Sequence, residues 1–412
     1  MQSPLNIYSE IGTLEKVMVH RPGKEIENLF PEFMKEFLFD DIPNLRLAQK
    51  EHDKFVEVLS SRGAEVLYVT DLASAALTEK KVRADFIDEF LTLPKQLHRD
   101  EESVYISLKE YLLSKSPTEL VETLIRGIRK EEVFVEKRHK LAGMLDHPYP
   151  FYLDPLVNMY FTRDPYNVIG NGISLNPMNQ TARKNETIFM KYIMNHHPEF
   201  KDADTPIIYD KSNNFSIEGG DQLILTPEVM AIGISSRTSP HAIEVLFKKL
   251  LSVNKSIKKI VAIQIPEERA FMHLDTVFTQ VDTNKFTVHP AVIKIADEMN
   301  LFVMETDENG EIIVEKRTNL VETLKEVLEL DDIILIPIGN GHVIEAAREQ
   351  WNDGSNTLAL APGVVVTYDR NYITNETLRS HGVEVLEVPS SELSRGRGGP
   401  RCMTMPISRR RV

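Results

Sequence analysis

The amino-acid sequence predicts an α/β fold, in which a pseudosymmetric ring of strands and helices carries a helical insertion. Three observations support this prediction: short apolar runs alternate with helical patterns, one local motif recurs along the chain, and one long charged stretch contains little that is typical of strands. Alternating strands and helices are typical of α/β architectures, and a recurring motif indicates a chain built from structural repeats.

The apolar runs are rich in valine and isoleucine, and most are bounded by glycine, proline, aspartate or asparagine, as strands are. We expect strands at residues 16–19, 65–69, 229–234, 259–265, 333–338, 363–367 and 383–388. A helix over residues 45–62 should stop at Gly63, since glycine is favoured just beyond a helix C-terminus. A second helix over residues 239–251 begins with Ser239-Pro240, a capping residue followed by a proline in the first turn.

A local motif recurs where strands are expected to end: the strand is followed by an arginine and then by a residue that forms a turn or starts a helix. The motif occurs at Arg21, Arg163, Arg237 and Arg370, and helical segments follow three of them at residues 25–37, 239–251 and 375–381. The spacings fit a step of roughly 70 residues with one insertion after the first repeat. An apolar strand followed by an arginine also arises by chance, so this alternative stays open.

The insertion is visible between Asp71 and Lys140, where the chain is highly charged and has helical patterning. We therefore predict a ring formed by residues 1–70 and 148–412, interrupted by a helical insertion over residues 71–147. A chain of 412 residues can bury a large core in this arrangement.

The composition indicates a globular protein and restricts its partners. Hydrophobic residues make up 42% and charged residues 27% of the chain, which is too apolar for a disordered protein. The formal net charge is −14, so neither nucleic acid nor an anionic membrane surface is an expected partner. An anionic small substrate is not excluded, because it meets only the local charge of its pocket.

Several features predict a cytoplasmic protein. Cys402 is the one cysteine, so no internal disulfide can form, which is typical of a reducing compartment. The first residues lack the basic stretch and apolar core of a signal peptide. The longest apolar runs, such as residues 333–338, have about six residues, whereas a membrane helix requires roughly 20.

The segment around Cys402 is the most unusual part of the sequence. Three glycines and a proline precede the cysteine, and Arg395, Arg397 and Arg401 flank it. Glycines let a backbone approach a ligand closely, and positive charges favour the thiolate, which is the nucleophilic form of cysteine. The sequence therefore predicts a nucleophilic Cys402. A buried structural cysteine is an alternative of equal weight. A phosphate-binding loop and an RNA-binding segment fit less well, because the Walker spacing is absent and the arginine-glycine run is short.

Residues 272–276 are expected to form a strand, in which alternation would place His273 and Asp275 on one face. Such a histidine can serve as general acid and base for a cysteine nucleophile. A histidine buried for structural reasons is the alternative. Zinc is disfavoured, since a zinc site needs three or four ligands and the adjacent His196 and His197 have diverging side chains.

Further acids complete the expected site. Glu218 and Asp221 flank a double glycine, and Asp164 lies at an expected strand end. Ordinary polar turns are the alternative for both segments. With Asp275, these acids outnumber the bases, which favours a cationic substrate, and two carboxylates suit a planar guanidinium through paired hydrogen bonds. The thiol would attack the guanidinium carbon, and His273 would protonate the departing amine and later deprotonate water.

Five segments together resemble the arginine deiminases of microbes. They are FTRDP at residues 161–165, IEGGD at 217–221, MHLDT at 272–276, WNDGSN at 351–356 and SRGRGGPRCM at 394–403, in the same order as in that family. The resemblance extends from the YSEIG segment near the N-terminus to the Cys402 loop and so covers most of the chain. It implies the five-bladed α/β propeller of the guanidine-modifying enzymes, with a helical insertion after the first repeat.

The resemblance also implies a role for each matching residue. Cys402 would be the nucleophile, His273 the acid and base, and Glu218 the acid that assists His273. Asp164 and Asp275 would bind the guanidinium. The remaining residues would surround the rest of the substrate: Asn158, Arg183 and Arg237 at its α-amino and α-carboxylate groups, Phe161 beside it, and Arg397 as a gate.

The implied reaction is the hydrolysis of L-arginine to L-citrulline and ammonia in arginine catabolism, through a covalent amidino-cysteine intermediate and without a metal or other cofactor. A homo-oligomer is expected from the same resemblance. The rivals are a related chemistry on another guanidinium substrate such as agmatine, an arginine sensor, and a metal-dependent ureohydrolase. Arg183 and Arg237 favour a substrate with a carboxylate, which agmatine lacks, and the sequence lacks the clustered aspartate and histidine ligands of a binuclear metal site.

Overall fold

The computed structural model describes residues 3–92, 102–135, 149–253, 256–266, 270–294 and 299–412, which form a mixed α/β fold. The described α-helices are α1 (Leu45–Ser61), α2 (Val69–Ala76), α3 (Lys80–Thr92), α4 (Glu102–Leu113), α5 (Pro117–Arg126), α6 (Glu186–His196), α7 (Pro240–Val253), α8 (Pro290–Lys294), α9 (Leu320–Leu328), α10 (Val343–Gln350) and α11 (Tyr372–Ser380).

The strands are short and spread along the whole chain. They are β1 (Leu14–Val19), β2 (Glu65–Tyr68), β3 (Ile128–Arg129), β4 (Phe151–Leu153), β5 (Tyr166–Ile169), β6 (Gly172–Leu175), β7 (Ile207–Tyr209), β8 (Gln222–Ile224), β9 (Val229–Ile234), β10 (Lys259–Gln264), β11 (Phe278–Gln280), β12 (Lys285–Val288), β13 (Leu301–Thr306), β14 (Ile312–Arg317), β15 (Ile334–Pro337), β16 (Leu358–Ala361), β17 (Val364–Tyr368), β18 (Glu384–Val388) and β19 (Met405–Arg409).

Five sheets share one pairing pattern, in which a central strand pairs antiparallel with one neighbour and parallel with the other. The central strands are β1, β6, β9, β12 and β17. A parallel pair requires a crossover connection, and the helices α1, α6, α7 and α11 supply it after β1, β6, β9 and β17. The connection from β12 to β15 also contains the hairpin of β13 and β14, which joins the edge of β10.

Most of the expected elements are confirmed. All seven predicted strands and the helices expected at residues 45–62, 239–251 and 375–381 are present, with ends shifted by a few residues. The helix predicted at residues 25–37 is wrong, since two short 3-10 helices, Ile26–Asn28 and Pro31–Phe33, lie there instead. Phe30 is extended at φ −141°, because a proline disfavours the helical conformation in the residue before it.

The prediction that an arginine follows a strand end is confirmed in three sheets and wrong in one. Arginines follow the central strands β1, β9 and β17 at Arg21, Arg237 and Arg370. Arg163 does not end a strand, since residues 154–165 form turns between β4 and β5. This stretch is apolar and buried, which imitates a strand, but Pro155 and Pro165 bound it and cannot donate to a ladder. In that sheet the arginine that follows the central strand β6 is Arg183, in the 3-10 turn Thr181–Arg183.

Helices α2 to α5 follow β2, and their apolar faces belong to the same hydrophobic cluster as α6. Phe86 of α3 lies edge-on to Tyr192 of α6, with ring centroids 4.8 Å apart. Residues 136–148, at the end of the expected insertion, lie outside the described residues. None of the helices in the described ranges combines the length and apolar character that a membrane span requires.

The two ends of the chain meet in one sheet. β1 pairs antiparallel with β19 and parallel with β2. The segment before β1 joins this contact, because the Asn6 amide donates to the Ile407 carbonyl at 2.9 Å and the Arg409 amide donates to the Asn6 carbonyl at 2.9 Å. The N-terminal segment is thereby held beside the strand that follows Cys402.

Candidate active site

A cavity of about 400 Å³, open solvent at its mouth included, lies where the loops after several strands meet. Eight of the ten expected site residues line it: Asn158, Phe161, Asp164, Arg183, Arg237, His273, Arg397 and Cys402. The other two, Glu218 and Asp275, lie directly behind this lining and contact it. The structure therefore brings all ten residues together, and Leu38, Met272, Thr276 and Gly396 complete the wall.

The glycines before Cys402 are required by close packing against aromatic rings. A Cβ atom on Gly396 would lie 1.9 Å from the Tyr160 hydroxyl oxygen, and one on Gly398 would lie 2.3 Å from Cε1 of Phe161. The loop that carries the cysteine thus rests on the two rings, with no room for side chains. The Cys402 amide donates to Oδ1 of Asn356 at 3.0 Å, which fixes the turn at the sulfur.

The thiol is 4% exposed and is not surrounded by free positive charge. Burial raises the pKa of Cys402 well above its usual value, the carboxylates of Asp275 and Asp164 raise it further, and Arg401 only partly opposes them. The surroundings of Cys402 thus favour the thiol over the thiolate, contrary to the expectation from the flanking arginines, although Arg401 acts in the expected direction. Each arginine has an acidic partner: Arg395 pairs with Asp41 and Glu392, Arg397 lies 3.6 Å from Asp40, and Arg401 pairs with Glu10 and Asp275.

His273 is a buried cation held by two carboxylates. Its Nε2 lies 2.8 Å from Oε2 of Glu218, and its Nδ1 lies 3.8 Å from Oδ1 of Asp164. Burial alone would lower the pKa of His273, but Asp164, the hydrogen bond with Glu218 and the charge of Asp221 raise it to about 9. The double glycine of the IEGGD segment makes room for the ring, since a Cβ atom on Gly220 would lie 2.7 Å from Cγ of His273.

The segment around His273 is not the strand that alternation predicted. Residues Leu274–Thr276 form a 3-10 turn. Asp221 stabilises this turn by accepting a hydrogen bond from the Leu274 amide at 2.8 Å, and the Thr276 hydroxyl donates to the His273 carbonyl at 2.7 Å. The local bond of Thr276 competes with strand pairing, and the bond that the Leu274 amide donates to Asp221, 53 residues away in sequence, fixes the turn further. Asp221 supports the turn and does not line the cavity.

Asp164 and Asp275 each keep one carboxylate oxygen without a donor among the described residues. Oδ2 of Asp164 accepts from Nη1 of Arg183 at 2.5 Å, and Oδ2 of Asp275 accepts from Nη1 of Arg401 at 2.8 Å. Both Oδ1 atoms are buried without a hydrogen-bond donor in the described ranges, although Oδ1 of Asp164 lies 3.8 Å from Nδ1 of His273. Burying an acceptor without a hydrogen bond costs roughly 1–3 kcal/mol, so both oxygens are suited to accept from a cationic donor. Oδ2 of Asp275 also lies 3.7 Å from the Cys402 sulfur.

The arginines of the cavity are held in different ways. Arg183 binds both carboxylate oxygens of Glu186 in addition to Asp164. Arg237 lies 3.6 Å from Oε2 of Glu218. Arg397 adopts a left-handed backbone at φ 64°, and its guanidinium lies over the ring of Trp351 at 3.6 Å.

The two remaining expected residues belong to the wall near the entrance. The Asn158 amide donates to the Phe37 carbonyl at 2.9 Å, which ties the cavity to the loop that contains Leu38. Phe161 is 3% exposed and lies against Tyr160 with ring centroids 3.9 Å apart. The aromatic pair supports one side of the cavity beneath the nucleophile loop.

Several residues at the site were not expected from the sequence to have a role. Asn356 and Trp351 lie in the WNDGSN segment, so the resemblance could have indicated them. Glu10 lies in the YSEIG segment, and its pairing with Arg401 joins positions 391 residues apart in sequence. No local pattern reveals such a pair, because side chains that meet across a fold leave no periodic signal.

Asp164, Glu218 and His273 each offer a ligand atom, and these atoms lie within 4.8 Å of one another. Two carboxylates and an imidazole are a ligand set that a divalent metal could use. In the structure, however, the three side chains contact one another directly, since Nε2 of His273 lies 2.8 Å from Oε2 of Glu218 and Nδ1 lies 3.8 Å from Oδ1 of Asp164. The three side chains fit a charged hydrogen-bonded group better than a metal site.

Comparison with known proteins agrees with this geometry. The sequence model of the arginine deiminase family matches residues 35–409. An arginine deiminase of Bacillus thuringiensis subsp. konkukian is 53% identical over 413 residues, covering 100% of both chains. An arginine deiminase of Staphylococcus epidermidis is 52% identical over 411 residues, covering 99% of both chains.

Solved structures of more distant proteins share the fold. An amidinotransferase of the saxitoxin pathway of Microseira wollei has a TM-score of 0.53 at 16% identity, covering 99% of this chain and 98% of its own. The N-terminal domain of an arginine dihydrolase from cyanobacteria has a TM-score of 0.53 at 13% identity, covering 96% of this chain and 97% of its own. By its sequence along the full length and by the family match over most of it, this chain belongs to the arginine deiminase family.

Proposed function

We propose that this protein hydrolyses L-arginine to L-citrulline and ammonia through a covalent intermediate at Cys402. The observation that carries the proposal is that the buried Oδ1 atoms of Asp164 and Asp275 have no hydrogen-bond donor among the described residues, while Oδ2 of Asp275 lies 3.7 Å from the Cys402 sulfur. A guanidinium has five N–H donors in one plane and satisfies both oxygens at once. Charged hydrogen bonds of this kind contribute about 1.5–3 kcal/mol each, which is enough to orient the cation.

Binding of the substrate activates the nucleophile. Burial and the carboxylates of Asp275 and Asp164 raise the pKa of the Cys402 thiol. A bound guanidinium pairs with these carboxylates and places a positive charge near the sulfur, which lowers the thiol pKa. The thiol loses its proton to solvent, and the thiolate attacks the guanidinium carbon. The enzyme is therefore most nucleophilic when arginine is present.

His273 serves as the general acid of the first half-reaction. As the C–N bond breaks, the protonated ring donates its proton to the departing nitrogen, which leaves as ammonia. The remaining amidino group is bonded to the Cys402 sulfur. Glu218 keeps the ring oriented and charged through the 2.8 Å contact. Burial alone would raise the pKa of Glu218, but Arg237 and His273 lower it to about 2, so Glu218 stays ionised.

The second half-reaction reverses the role of His273. The neutral ring takes a proton from water while the oxygen attacks the amidino carbon. The tetrahedral intermediate expels the Cys402 thiolate, and the product leaves as citrulline after losing one proton to solvent. The thiolate regains from solvent the proton that it lost in the first half-reaction. The sum is arginine and water converted to citrulline and ammonium, because the released ammonia takes up the remaining proton, and Cys402 and His273 return to their starting states.

The rest of the substrate is assigned to the residues around the entrance. Arg183 and Arg237 are proposed to bind the α-carboxylate, and Asn158 the α-amino group. Phe161 packs along the aliphatic chain, and Arg397 closes the mouth of the cavity. Arg183 donates to Oδ2 of Asp164, and we propose that it turns from this aspartate toward the α-carboxylate when the substrate binds.

The proposal also includes the architecture, the oligomeric state and the cellular location of the protein. We propose that the five sheets form a five-bladed ring of residues 1–70 and 148–412, into which residues 71–147 are inserted as a helical unit. The common pairing pattern of the five sheets supports the ring. We also propose a homo-oligomer, which light scattering can test, and a cytoplasmic location, where the nucleophilic Cys402 stays reduced.

The first experiment measures citrulline and ammonia from purified protein and L-arginine, with and without EDTA. We expect both products in equal amounts, and no loss on chelation. Cys402→Ala should abolish turnover while its circular dichroism matches that of the native protein. Urea as a product, or sensitivity to EDTA, would contradict the proposed reaction. Agmatine in place of arginine should be a poor substrate, because it lacks the carboxylate.

A further inference from the structure

Glu10 is a buried acid that the proposed reaction does not use. It precedes β1 and is 6% exposed. Its carboxylate accepts from Nε of Arg401 at 3.0 Å and from Nη2 at 3.2 Å, and it also accepts from the Ile224 amide at 3.1 Å. Burial alone would raise the pKa of Glu10, but Arg401 and Arg163 lower it to about 2, so the group is a permanent anion.

Arg401 connects this anion to the reaction centre. Its guanidinium is 1% exposed, and Nη1 donates to Oδ2 of Asp275 at 2.8 Å. A fourth contact, from Nη2 to the Gln222 carbonyl at 2.9 Å, completes its hydrogen bonding. The planar guanidinium therefore bridges Glu10 and Asp275 at a fixed separation and angle. Arg401 is also the residue before Cys402, so the same side chain anchors the nucleophile turn.

The bridge determines which oxygen of Asp275 is left for a ligand. Oδ2 is held by Arg401 and lies 3.7 Å from the Cys402 sulfur, whereas Oδ1 is buried and unpaired. If Glu10 did not hold the guanidinium from the opposite side, Arg401 could turn and bind both oxygens of Asp275. The carboxylate would then have no free oxygen for the substrate.

Glu10 also balances an excess of buried positive charge. The guanidinium groups of Arg163, Arg401 and Arg409 all act on it electrostatically. Arg163 lacks a partner for Nη2 among the described residues, and burial together with Arg401 lowers its pKa to about 9. Without the anion, three buried cations would face one another beneath the nucleophile turn, and their field would reach the sulfur.

We propose that Glu10 is a positioning residue for the deimination: through Arg401 it orients Asp275 for the substrate guanidinium and limits the positive charge at the Cys402 sulfur. This inference rests on the proposed roles of Cys402 and Asp275. It assigns a function in the active site to the N-terminal segment, which lies outside the cavity.

The test uses Glu10→Gln, which keeps the shape of the side chain and an acceptor for the Ile224 amide but removes the charge. We expect kcat/KM for arginine to fall at least about tenfold, because Asp275 loses its orientation. We expect the pKa of the thiol, measured from the pH dependence of iodoacetamide alkylation without arginine, to fall by roughly one unit. Cys402 is the chain's one cysteine, so the alkylation reports on it alone.

The alkylation shift reports the charge at the sulfur, and circular dichroism reports loss of structure. The charged groups that act on the sulfur or line its cavity are Asp275, Asp164, Asp353, Arg401, His273, Arg183, Arg237 and Arg397. Removing Glu10 leaves Arg401 less compensated, which lowers the thiol pKa; unfolding would also lower this raised pKa, toward the ordinary value of a free cysteine. A slower enzyme with a native circular dichroism spectrum and a thiol that reacts at lower pH is therefore the expected signature.

Two further variants complete the design. Glu15→Gln makes the same charge change at an exposed acid near Arg410, so it should leave turnover and the alkylation profile unchanged. Glu10→Asp keeps the charge but shortens the side chain, so kcat/KM should fall while the thiol pKa stays near its native value. This variant keeps the inference testable if Glu10→Gln does not fold.

Unchanged kcat/KM in both Glu10 variants would overturn the inference, and so would a slow Glu10→Gln enzyme whose thiol pKa does not fall. Failure of the proposed function looks different. In that case the native protein is alkylated normally but makes no citrulline from arginine.

Discussion

Two carboxylate oxygens define the substrate at the scale of single residues. Because Oδ1 of Asp164 and Oδ1 of Asp275 are buried and accept no hydrogen bond from any part of the chain that the structure describes, the site is complementary to a planar cation and poorly suited to a neutral urea. This distinction favours release of citrulline after the reaction, since the product no longer carries the charge that bound the substrate.

We expect Asp164→Asn and Asp275→Asn each to lower kcat/KM for arginine by at least about 100-fold, because an amide presents a donor where an acceptor is needed. Steady-state kinetics measure the loss. Asp202→Asn, on the exposed surface, is the matched control and should be neutral. Near-native kinetics in either site variant would show that the guanidinium binds elsewhere.

His273 should give the reaction a basic limit. Asp164 and Glu218 help to raise the pKa of His273 to about 9, so the ring carries the proton that the leaving nitrogen needs at any lower pH. The kcat/KM for arginine, which reports the ionisation of the free enzyme, should therefore fall above about pH 9 as the ring loses its proton. A pH–rate profile tests this, and a kcat/KM that falls already between pH 6 and 7 would contradict a raised pKa.

At the scale of elements, the nucleophile loop depends on its fit to two aromatic rings. A Cβ atom on Gly398 would lie 2.3 Å from Cε1 of Phe161, so Gly398→Ala must displace the loop or the ring. We expect kcat/KM to fall by about 10- to 100-fold, because small displacements of a nucleophile are costly. Kinetics with thermal unfolding measure the effect.

The matched control for this loop is Gly63→Ala. Gly63 follows α1 at φ 89° with open space around it, so alanine there is strained but touches nothing in the site. The variant should lose about 1 kcal/mol of stability and keep its activity. Loss of activity in both variants to the same degree would mean that stability, rather than loop position, explains the effect of Gly398→Ala.

Elements held by a strong local pattern were predictable from the sequence. β9 and β10 are runs of valine and isoleucine between polar ends, and α1 stops at a glycine, so their types and bounds followed from side-chain chemistry. The segment at residues 272–276 was misread, because five residues fit alternation while the Asp221 bond that bends them comes from another strand end. The thiol pKa was misjudged for the same reason, since the partners of the arginines lie far away in sequence.

The motifs of the site could be found from the sequence because each contains several functional residues within a few positions. Cys402, His273 and Glu218 lie in such segments. Arg183 and Asn158 were identified only through the resemblance, and Glu10 through neither route. Long-range pairs such as Glu10 and Arg401 depend on how the sheets assemble, and no local sequence pattern predicts that assembly.

For the whole molecule, the buried charges couple stability to pH. The pKa of His273 is about 9 in the folded chain, against 6.5 for a free histidine side chain. A raised folded pKa stabilises the fold fully below about 6.5, and this contribution is lost as the pH rises through about 9. The loss is on the order of 3 kcal/mol. The urea concentration at the midpoint of denaturation should therefore be lower at pH 9.5 than at pH 6.5.

The variant His273→Gln, which has no titrating ring, tests whether His273 causes this dependence of stability on pH. The variant should be less stable at pH 6.5 and should show a smaller decline toward alkaline pH. An identical decline in the native protein and the variant would mean that other groups are responsible. Denaturation by urea, followed by fluorescence of the one tryptophan, Trp351, measures both proteins.

The pairing of β1 with β19 has a consequence for how activity arises during folding. These strands have among the largest sequence separations in the fold, and contacts of high contact order form late because a long loop must close first. Helices and local hairpins can form without this closure, but the nucleophile turn and its N-terminal support cannot come together. A refolding chain should therefore regain its far-ultraviolet circular dichroism well before it regains catalysis, and partly folded chains should not hydrolyse free arginine.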